Sequence, residues 1–169
     1  TGQVAAAHIL QQRIWTALTL WRDELKKTLI NRFGEERGLT LTHRYEDAFP
    51  AAYREDVSAW VASFDIDNLD QLNAEQPLRT SLYAPRQARI KNLLRFKLFR
   101  LHEALPLSSI LPTLENLGVR AISERPYRID LKDNDEAWIQ DFDIIPDTRM
   151  SFDLHVVQDS FRETFNEVQ

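Results

Sequence analysis

The sequence of 169 residues predicts an α+β fold, in which a helical N-terminal part precedes a four-stranded antiparallel sheet that packs against two helices. Three observations predict it. Apolar residues recur at helical spacing through residues 1–74, an alternation typical of strands begins after Pro77, and two amphipathic helix patterns interrupt the strands. The hydrophobic content of 43% is ordinary for a globular protein.

The composition excludes several kinds of partner and chemistry. A net charge of −5 and a pI near 5.4 give no electrostatic case for a nucleic acid or an anionic membrane as a partner. The absence of cysteine excludes disulfides, thiolate metal sites and cysteine nucleophiles. No apolar run is long enough to span a bilayer and no signal peptide is recognisable, so we expect a cytoplasmic protein without a membrane partner.

Residues 4–33 predict one long helix whose apolar face includes Ile14, Leu25 and Leu29. At 1.5 Å per residue it would span about 45 Å, more than one small domain covers. We therefore expect it to pack on helices outside this chain or on another copy of the chain. The chain also starts at Thr1 without a methionine and stops at Gln169 inside an apparent helix, which predicts an excised piece of a longer polypeptide.

The rest of the first half predicts shorter helices. Gly34 and Gly38 bracket a predicted turn, after which a helix pattern continues to Pro50. Ser58 is the predicted N-cap of another helix. The polar residues 73–77 are typical of a linker, so we expect a helical connector over residues 1–74 and a second domain over residues 75–169.

The second half predicts strands over residues 79–83, 91–101, 119–129 and 136–145. A helix is predicted from an N-cap at Ser109, which keeps Pro112 in the first turn, to Gly118. We expect a bend at Pro126, a turn over residues 133–135, and a final helix capped by Ser151 or Asp153.

The predicted order is β-β-α-β-β-α, whereas a ferredoxin-like sandwich has the order β-α-β-β-α-β. Moving the last strand of that sandwich to the front produces the order seen here. The short link between Tyr83 and Lys91 allows the moved strand to pair with its neighbour as a hairpin. The sequence therefore predicts a permuted ferredoxin-like sandwich with both helices on one face of the sheet.

No catalytic, cofactor-binding or metal-binding residue is predicted. None of the four glycines lies in a dinucleotide-binding motif or a P-loop. The four histidines have no spacing typical of a zinc site, and isolated surface positions explain them better; they are His8, His43, His102 and His155.

Three groups of residues have both a functional and a structural interpretation. Asp141 and Asp143 share a strand face and could act as an acid/base pair, but a solvated sheet face is the preferred interpretation, as for residues 46–47 and 55–56. A basic stripe beside Phe96 could bind RNA, but Phe96 shares its face with core leucines. The tryptophans at positions 15, 21, 60 and 138 are interpreted as packing residues, with an interaction surface as the alternative for Trp15.

The loop over residues 102–109 is the main ligand candidate. It brings a helix N-terminus next to a strand end, where free N–H groups can hold a carboxylate. The alternative is a plain connection between strand and helix. The candidate effector or interface residues are Glu103, Pro106, Leu107, Ser108 and Ser109.

Two resemblances extend these expectations. The residues of the first are Pro106-Leu107, Ile110, Leu114, Leu117-Gly118-Val119 and Ile122. They resemble the strand–helix signature of ACT domains, small ferredoxin-like regulatory modules that often bind amino acids. ACT domains usually carry glycine directly after the proline. The leucine at position 107 favours a structural or interface role over small-molecule binding.

The second resemblance covers nearly the whole chain and rests on residues 35–38, 44–45, 47–56, 94–100, 122–127 and 138–142. These segments resemble the large bacterial NAD-specific glutamate dehydrogenases. The resemblance implies an internal, non-catalytic segment with an ACT-type module, in a homo-oligomeric parent that converts L-glutamate to 2-oxoglutarate and ammonia with NAD. The family's catalytic lysine and nucleotide glycines have no matching positions here. We expect a regulatory or structural segment, with an amino-acid-binding allosteric sensor as the alternative.

Overall fold

The computed structural model describes residues 1–147 and 153–167. It confirms the predicted α+β fold, with four helices followed by a four-stranded antiparallel sheet of order β1-β2-β4-β3 and two further helices. The elements are α1 (Gly2–Phe33), α2 (Glu35–Tyr45), α3 (Ala51–Asp56), α4 (Ala59–Asp70), β1 (Leu78–Tyr83), β2 (Leu94–Leu101), α5 (Leu107–Asn116), β3 (Val119–Asp130), β4 (Glu136–Pro146) and α6 (Leu154–Glu167). The chain forms two compact units, Thr1–Asp67 and Asn68–Gln169.

In the first unit, α1 and α2 meet at a close backbone contact. Gly34, with a φ of +87°, ends α1 and donates its N–H to the carbonyl of Ile30 at 2.9 Å. Gly38 lies inside α2 and is buried against the backbone of Leu29 and Ile30. The predicted turn between the two glycines is therefore wrong. Gly34 makes the turn, and Gly38 lies where α2 crosses α1 at a short distance.

Aromatic residues build the rest of the first core. Phe49 stacks on Tyr53 with ring centroids 4.4 Å apart, and Trp21 meets both rings edge-on. The indole N–H of Trp21 donates to the carbonyl of Val57 at 3.0 Å, which agrees with its predicted packing role. The hydroxyl of Ser58 accepts the N–H of Val61 at 3.3 Å and caps α4 as predicted.

In the second unit, both helices pack on one face of the sheet, as predicted. β1 and β2 pair in register from Leu78 with Arg100 to Tyr83 with Arg95, so the predicted hairpin is confirmed. The core under the helices consists of Leu78, Leu82, Leu94, Phe96, Leu98, Leu105, Ile110, Leu114, Val119, Phe142, Ile144, Phe161 and Phe165.

The starts of β2 and α5 differ from the prediction. β2 begins at Leu94 rather than residue 91, because Asn92 has a φ of +61° and cannot extend the strand. α5 begins after Pro106, not after Ser109, because the carbonyl of Pro106 already accepts the N–H groups of residues 109 and 110. Pro112 thus lies inside α5, where it leaves out one helical hydrogen bond.

The irregularity of β3 lies elsewhere than predicted. The pairing with β4 shifts between Ala121 and Ser123, whereas Pro126 pairs with Gln140 without a shift. β3 is an edge strand, and an edge tolerates a proline that lacks the N–H. The predicted bend at Pro126 is therefore wrong.

The remaining turn and cap follow the prediction. Positive φ angles at residues 133 and 134 form the turn between β3 and β4. The carboxylate of Asp153 accepts the N–H of His155 at 3.0 Å and caps α6. The other predicted cap, Ser151, lies outside the described residues. None of the described helices is long and apolar enough to cross a membrane.

The Gly38→Ala variant tests the helix crossing. A Cβ at position 38 would lie 2.6 Å from the Cα of Ile30 and 2.9 Å from the carbonyl carbon of Leu29, both backbone atoms. Alanine ordinarily stabilises a helix relative to glycine by about 1 kcal/mol. Here the overpacking should prevail, and we expect the free energy of unfolding in urea to fall by about 2 kcal/mol.

Gly2→Ala is the matched control, because no atom lies within 4 Å of a Cβ built at position 2, the first residue of α1. We expect its stability to equal that of the unsubstituted chain within about 0.5 kcal/mol. A Gly38→Ala chain as stable as the Gly2→Ala chain would contradict the close crossing.

Candidate functional site

The loop between β2 and α5 is held firmly by β4. The side chain of Gln140 donates to the carbonyl of Leu105 at 2.9 Å and accepts the N–H of Leu105 at 3.0 Å. Both groups are buried, and this pair of hydrogen bonds fixes the loop relative to the sheet. Arg100 adds an ion pair to the carboxylate of Glu103 at 3.4 Å. The sequence-based prediction does not include Gln140, although a polar residue between Trp138 and Phe142 on the core face indicates it.

The five predicted loop residues lie together where β2 leads into α5. Glu103, Pro106, Leu107 and Ser108 are exposed, and Ser109 is partly buried. Among the described residues, the N–H groups of Leu107 and Ser108 have no acceptor, whereas those of the next two residues bond to Pro106. The loop thus has exposed donors at a helix N-terminus, which suit a carboxylate. Binding at this loop stays a prediction.

A cluster of charged residues lies on the sheet face opposite α5 and α6. In the strand register Arg95 faces Asp143 and Lys97 faces Asp141. The carboxylate of Asp143 accepts hydrogen bonds from Arg95 at 3.2 Å, from Arg125 at 3.1 Å and from the hydroxyl of Ser123 at 2.7 Å. Five charged residues from three strands therefore share one small area.

The predicted solvated face at Asp141 and Asp143 is wrong. Asp141 and Lys97 are each only 1% exposed. Apolar residues of the same face are buried as well, including Phe99 and Ile139. These residues alternate with the core-facing ones along β2 and β4, so the sequence contained the signal for a second buried face. The charges of Asp141 and Asp143 favour the opposite prediction, a solvated face.

The electrostatics of the cluster oppose acid/base chemistry near neutral pH. Burial raises the pKa of Asp143, but the hydrogen bond from Ser123 and the charges of Arg125 and Arg95 outweigh it, so the pKa lies below its ordinary value of 3.8. Burial lowers the pKa of Arg95, but nearby Asp141 leads the groups that raise it above its ordinary value. Asp143 therefore remains an ion-paired anion, which favours a structural role over a general base.

The Asp143→Asn variant tests this cluster. The substitution removes the charge from hydrogen bonds to two arginines, and we expect a loss of about 2 kcal/mol in the free energy of unfolding at neutral pH. The folded pKa of Asp143 is depressed, so its stabilisation is full above the ordinary value of 3.8 and disappears as the pH falls through the lower folded pKa. The stability gap between the unsubstituted chain and the variant should therefore narrow in acid.

The Asp130→Asn variant is the control, because the ion pair of Asp130 with Arg128 at 3.4 Å is exposed. We expect it to cost less than about 0.5 kcal/mol at any pH. The structural role of Asp143 would be refuted by either of two results. The loss of unfolding free energy in Asp143→Asn could be independent of pH, or it could equal the loss in Asp130→Asn.

Two tryptophans lie on the surface of the first unit. Trp15 is exposed on α1, as the interaction-surface alternative predicts. Trp60 on α4 is 57% exposed, so its predicted packing role is wrong. Trp60 directly follows the buried Ala59 in α4, and the sequence pattern does not resolve a difference of one position.

Comparisons with known proteins agree with the order of the two units. Residues 28–72 match the family model for glutamate dehydrogenase, helical motif 2, and residues 77–157 match the model for glutamate dehydrogenase, ACT3 domain. An NAD-specific glutamate dehydrogenase of Halomonas elongata is 37% identical over 159 residues, which cover 94% of this chain and 10% of that protein. One of Pseudomonas aeruginosa is 31% identical over 156 residues, which cover 92% of this chain and 10% of that protein. The chain thus spans about a tenth of the length of these relatives.

Proposed function

The chain belongs to the glutamate dehydrogenase family, and we propose that it is a non-catalytic structural and regulatory segment of an NAD-specific glutamate dehydrogenase. The observation that carries the proposal is the succession of two family models, helical motif 2 and then the ACT3 domain, along one short stretch of much longer relatives. The parent enzyme would oxidise L-glutamate to 2-oxoglutarate and ammonia in the cytoplasm, with NAD as its cofactor.

The geometry of the second unit supports a non-catalytic role. One sheet face is filled by the aromatic and aliphatic core under α5 and α6. On the other face, the carboxylate of Asp143 is engaged by two guanidinium groups and a hydroxyl. These interactions stabilise the sheet, and they leave Asp143 unsuited to accept a proton from a substrate amine.

The N-terminal half of α1 supports an interaction role. Leu25 and Leu29 are fully buried, and helical spacing places Leu10 and Ile14 on the same side of the helix. Those two residues are exposed, so the buried face of α1 continues as an apolar stripe that none of the described residues covers. We expect the rest of the parent polypeptide, or another subunit of a homo-oligomer, to cover that stripe.

Ile14→Glu in the full-length enzyme tests this interaction. Ile14 is 60% exposed in this chain, so the chain alone should tolerate glutamate. In the parent the charge would meet an apolar partner surface, and we expect dissociation or a melting temperature several degrees lower, measured by light scattering and calorimetry. Leu20→Glu is the control, because Leu20 is 64% exposed on the opposite side of α1. Equal behaviour of the two variants would argue against the stripe as an interface.

Assay of the 169-residue chain tests the absence of catalysis. We expect no NADH to form when the purified chain is mixed with L-glutamate and NAD, whereas the full-length parent should form it. NADH fluorescence is the measurement. A glutamate-dependent signal from the purified chain that survives removal of contaminating enzyme would contradict the proposal.

An amino-acid-binding allosteric sensor at residues 102–109 is the second candidate function. The observation in its favour is that Leu107 and Ser108 offer exposed N–H donors on a loop that Gln140 holds rigid. A carboxylate of an amino acid could bind these donors, and Glu103 of the same loop could meet its ammonium group. The exposed Leu107 side chain limits the approach of a ligand to the backbone.

Leu107→Glu in the full-length enzyme distinguishes the two candidates. Its carboxylate would repel the carboxylate of an amino acid, so a sensor should lose about tenfold in affinity by isothermal titration. Leu111→Glu is the control one helical turn later, since the two side chains are 42% and 39% exposed. If no amino acid other than the substrate L-glutamate gives heat with the unsubstituted enzyme, or if both variants bind alike, the sensor role is excluded and the structural role remains.

A further inference from the structure

Arg32, near the end of α1, lies among three aromatic rings. Its guanidinium carbon is 3.7 Å from the ring centroid of Phe64, 4.9 Å from that of Phe33 and 5.8 Å from that of Trp60. Trp60 and Phe64 are one turn apart on α4 and meet edge to face at 5.3 Å. The positive charge is therefore stacked on aromatic faces, as arginine prefers.

A buried serine fixes the orientation of this guanidinium. Nη1 of Arg32 donates to the hydroxyl of Ser63 at 2.9 Å, and that hydroxyl donates to the carbonyl of Trp60 at 2.6 Å. Ser63 is completely buried, so it is a rigid anchor. The arginine is thus held in one position before any partner binds, which lowers the entropy cost of binding.

Arg32 has N–H donors that no residue in the described part of the chain accepts. A guanidinium carries five N–H donors, and Ser63 takes one of them. Among residues 1–147 and 153–167, no carboxylate lies within 4.0 Å of Arg32. A partly buried arginine beside exposed rings ordinarily meets a carboxylate or phosphate through its planar fork.

The rings around Arg32 are exposed to an unusual degree. Trp60 is 57% exposed and Phe64 is 44% exposed. Tryptophan and arginine are the residues most enriched at the energetic centres of protein interfaces, where neighbouring contacts exclude water from a charged pair. The surface thus combines an oriented positive charge with apolar walls.

We propose that Arg32, Trp60 and Phe64 form a docking surface for a segment of the parent polypeptide outside residues 1–169, which presents an aspartate or glutamate carboxylate beside an apolar side chain. The carboxylate would bind the unused fork of Arg32, and the apolar side chain would pack on Trp60. The positive charge of Arg32 favours an anionic side chain in the partner. The relatives are about ten times longer than this chain, so the parent contains further polypeptide that could provide such a segment. The inference rests on the proposed function, which places this chain inside such a parent.

Photo-crosslinking in the full-length enzyme tests the docking surface. With p-benzoylphenylalanine in place of Trp60, irradiation should join position 60 to a peptide of the same polypeptide outside residues 1–169, with an acidic residue close to the joined position. Arg32→Gln should lower the yield about tenfold, because it removes a charged hydrogen bond from a desolvated interface. Arg32→Lys keeps the charge without the planar fork and should give an intermediate yield.

The same probe at Val156, an exposed residue of α6, is the control, and Arg32→Gln should leave its crosslinks unchanged. The proposal is overturned if position 60 forms no crosslink, if it joins only residues 1–169 or a second copy of them, or if Arg32→Gln does not change the yield. Glutamate-dependent NAD reduction by the same preparations separates the two claims. Activity without the crosslink refutes the docking surface alone, whereas a folded protein without activity refutes the proposed function.

Discussion

The second unit depends on the contact between one strand residue and two residues of its last helix. Phe96 of β2 is fully buried, with ring centroids 4.9 Å from Phe161 and 5.0 Å from Phe165 of α6. Its partner across the sheet is Phe142 of β4, at 6.1 Å. Each aromatic side chain removes a large apolar area from water, and the edge-to-face and tilted arrangements add specificity. This cluster determines which face of the sheet the helices cover.

The two faces of the sheet constrain the strands in different ways. The aromatic core needs the residues of β2 and β4 that point toward the helices, and a slip of one residue would turn them away. On the other face, the same slip would separate Arg95 and Lys97 from Asp143 and Asp141 and leave buried charges without their partners. The core and the charged cluster thus favour the same register from opposite sides of the sheet.

Much of this architecture was predictable from local patterns. The alternation through Phe96 and the polar turns were sufficient for the hairpin and the helix faces, and the comparison with a ferredoxin-like sandwich was sufficient for the pairing of the first two strands. Features that depend on tertiary contacts were not predictable from local patterns. The sequence predicts a turn at Gly38 because nothing local reveals that a second helix backbone lies against it. The sequence predicts a solvated Asp141 because a charged residue is seldom so buried, and because its partner Arg95 lies on a strand distant in sequence. The sequence predicts a buried Trp60 because a large aromatic side chain is ordinarily buried.

A double-mutant cycle on Phe96 and Phe165 tests the central claim most directly. Phe96→Leu and Phe165→Leu each remove ring contacts within one core, so their effects on the free energy of unfolding should not add. We expect an interaction energy of about 1 kcal/mol between the two positions, measured by urea unfolding of the two single variants and the double variant. Strictly additive losses would contradict the account, because they would show that α6 does not pack against β2 through these rings.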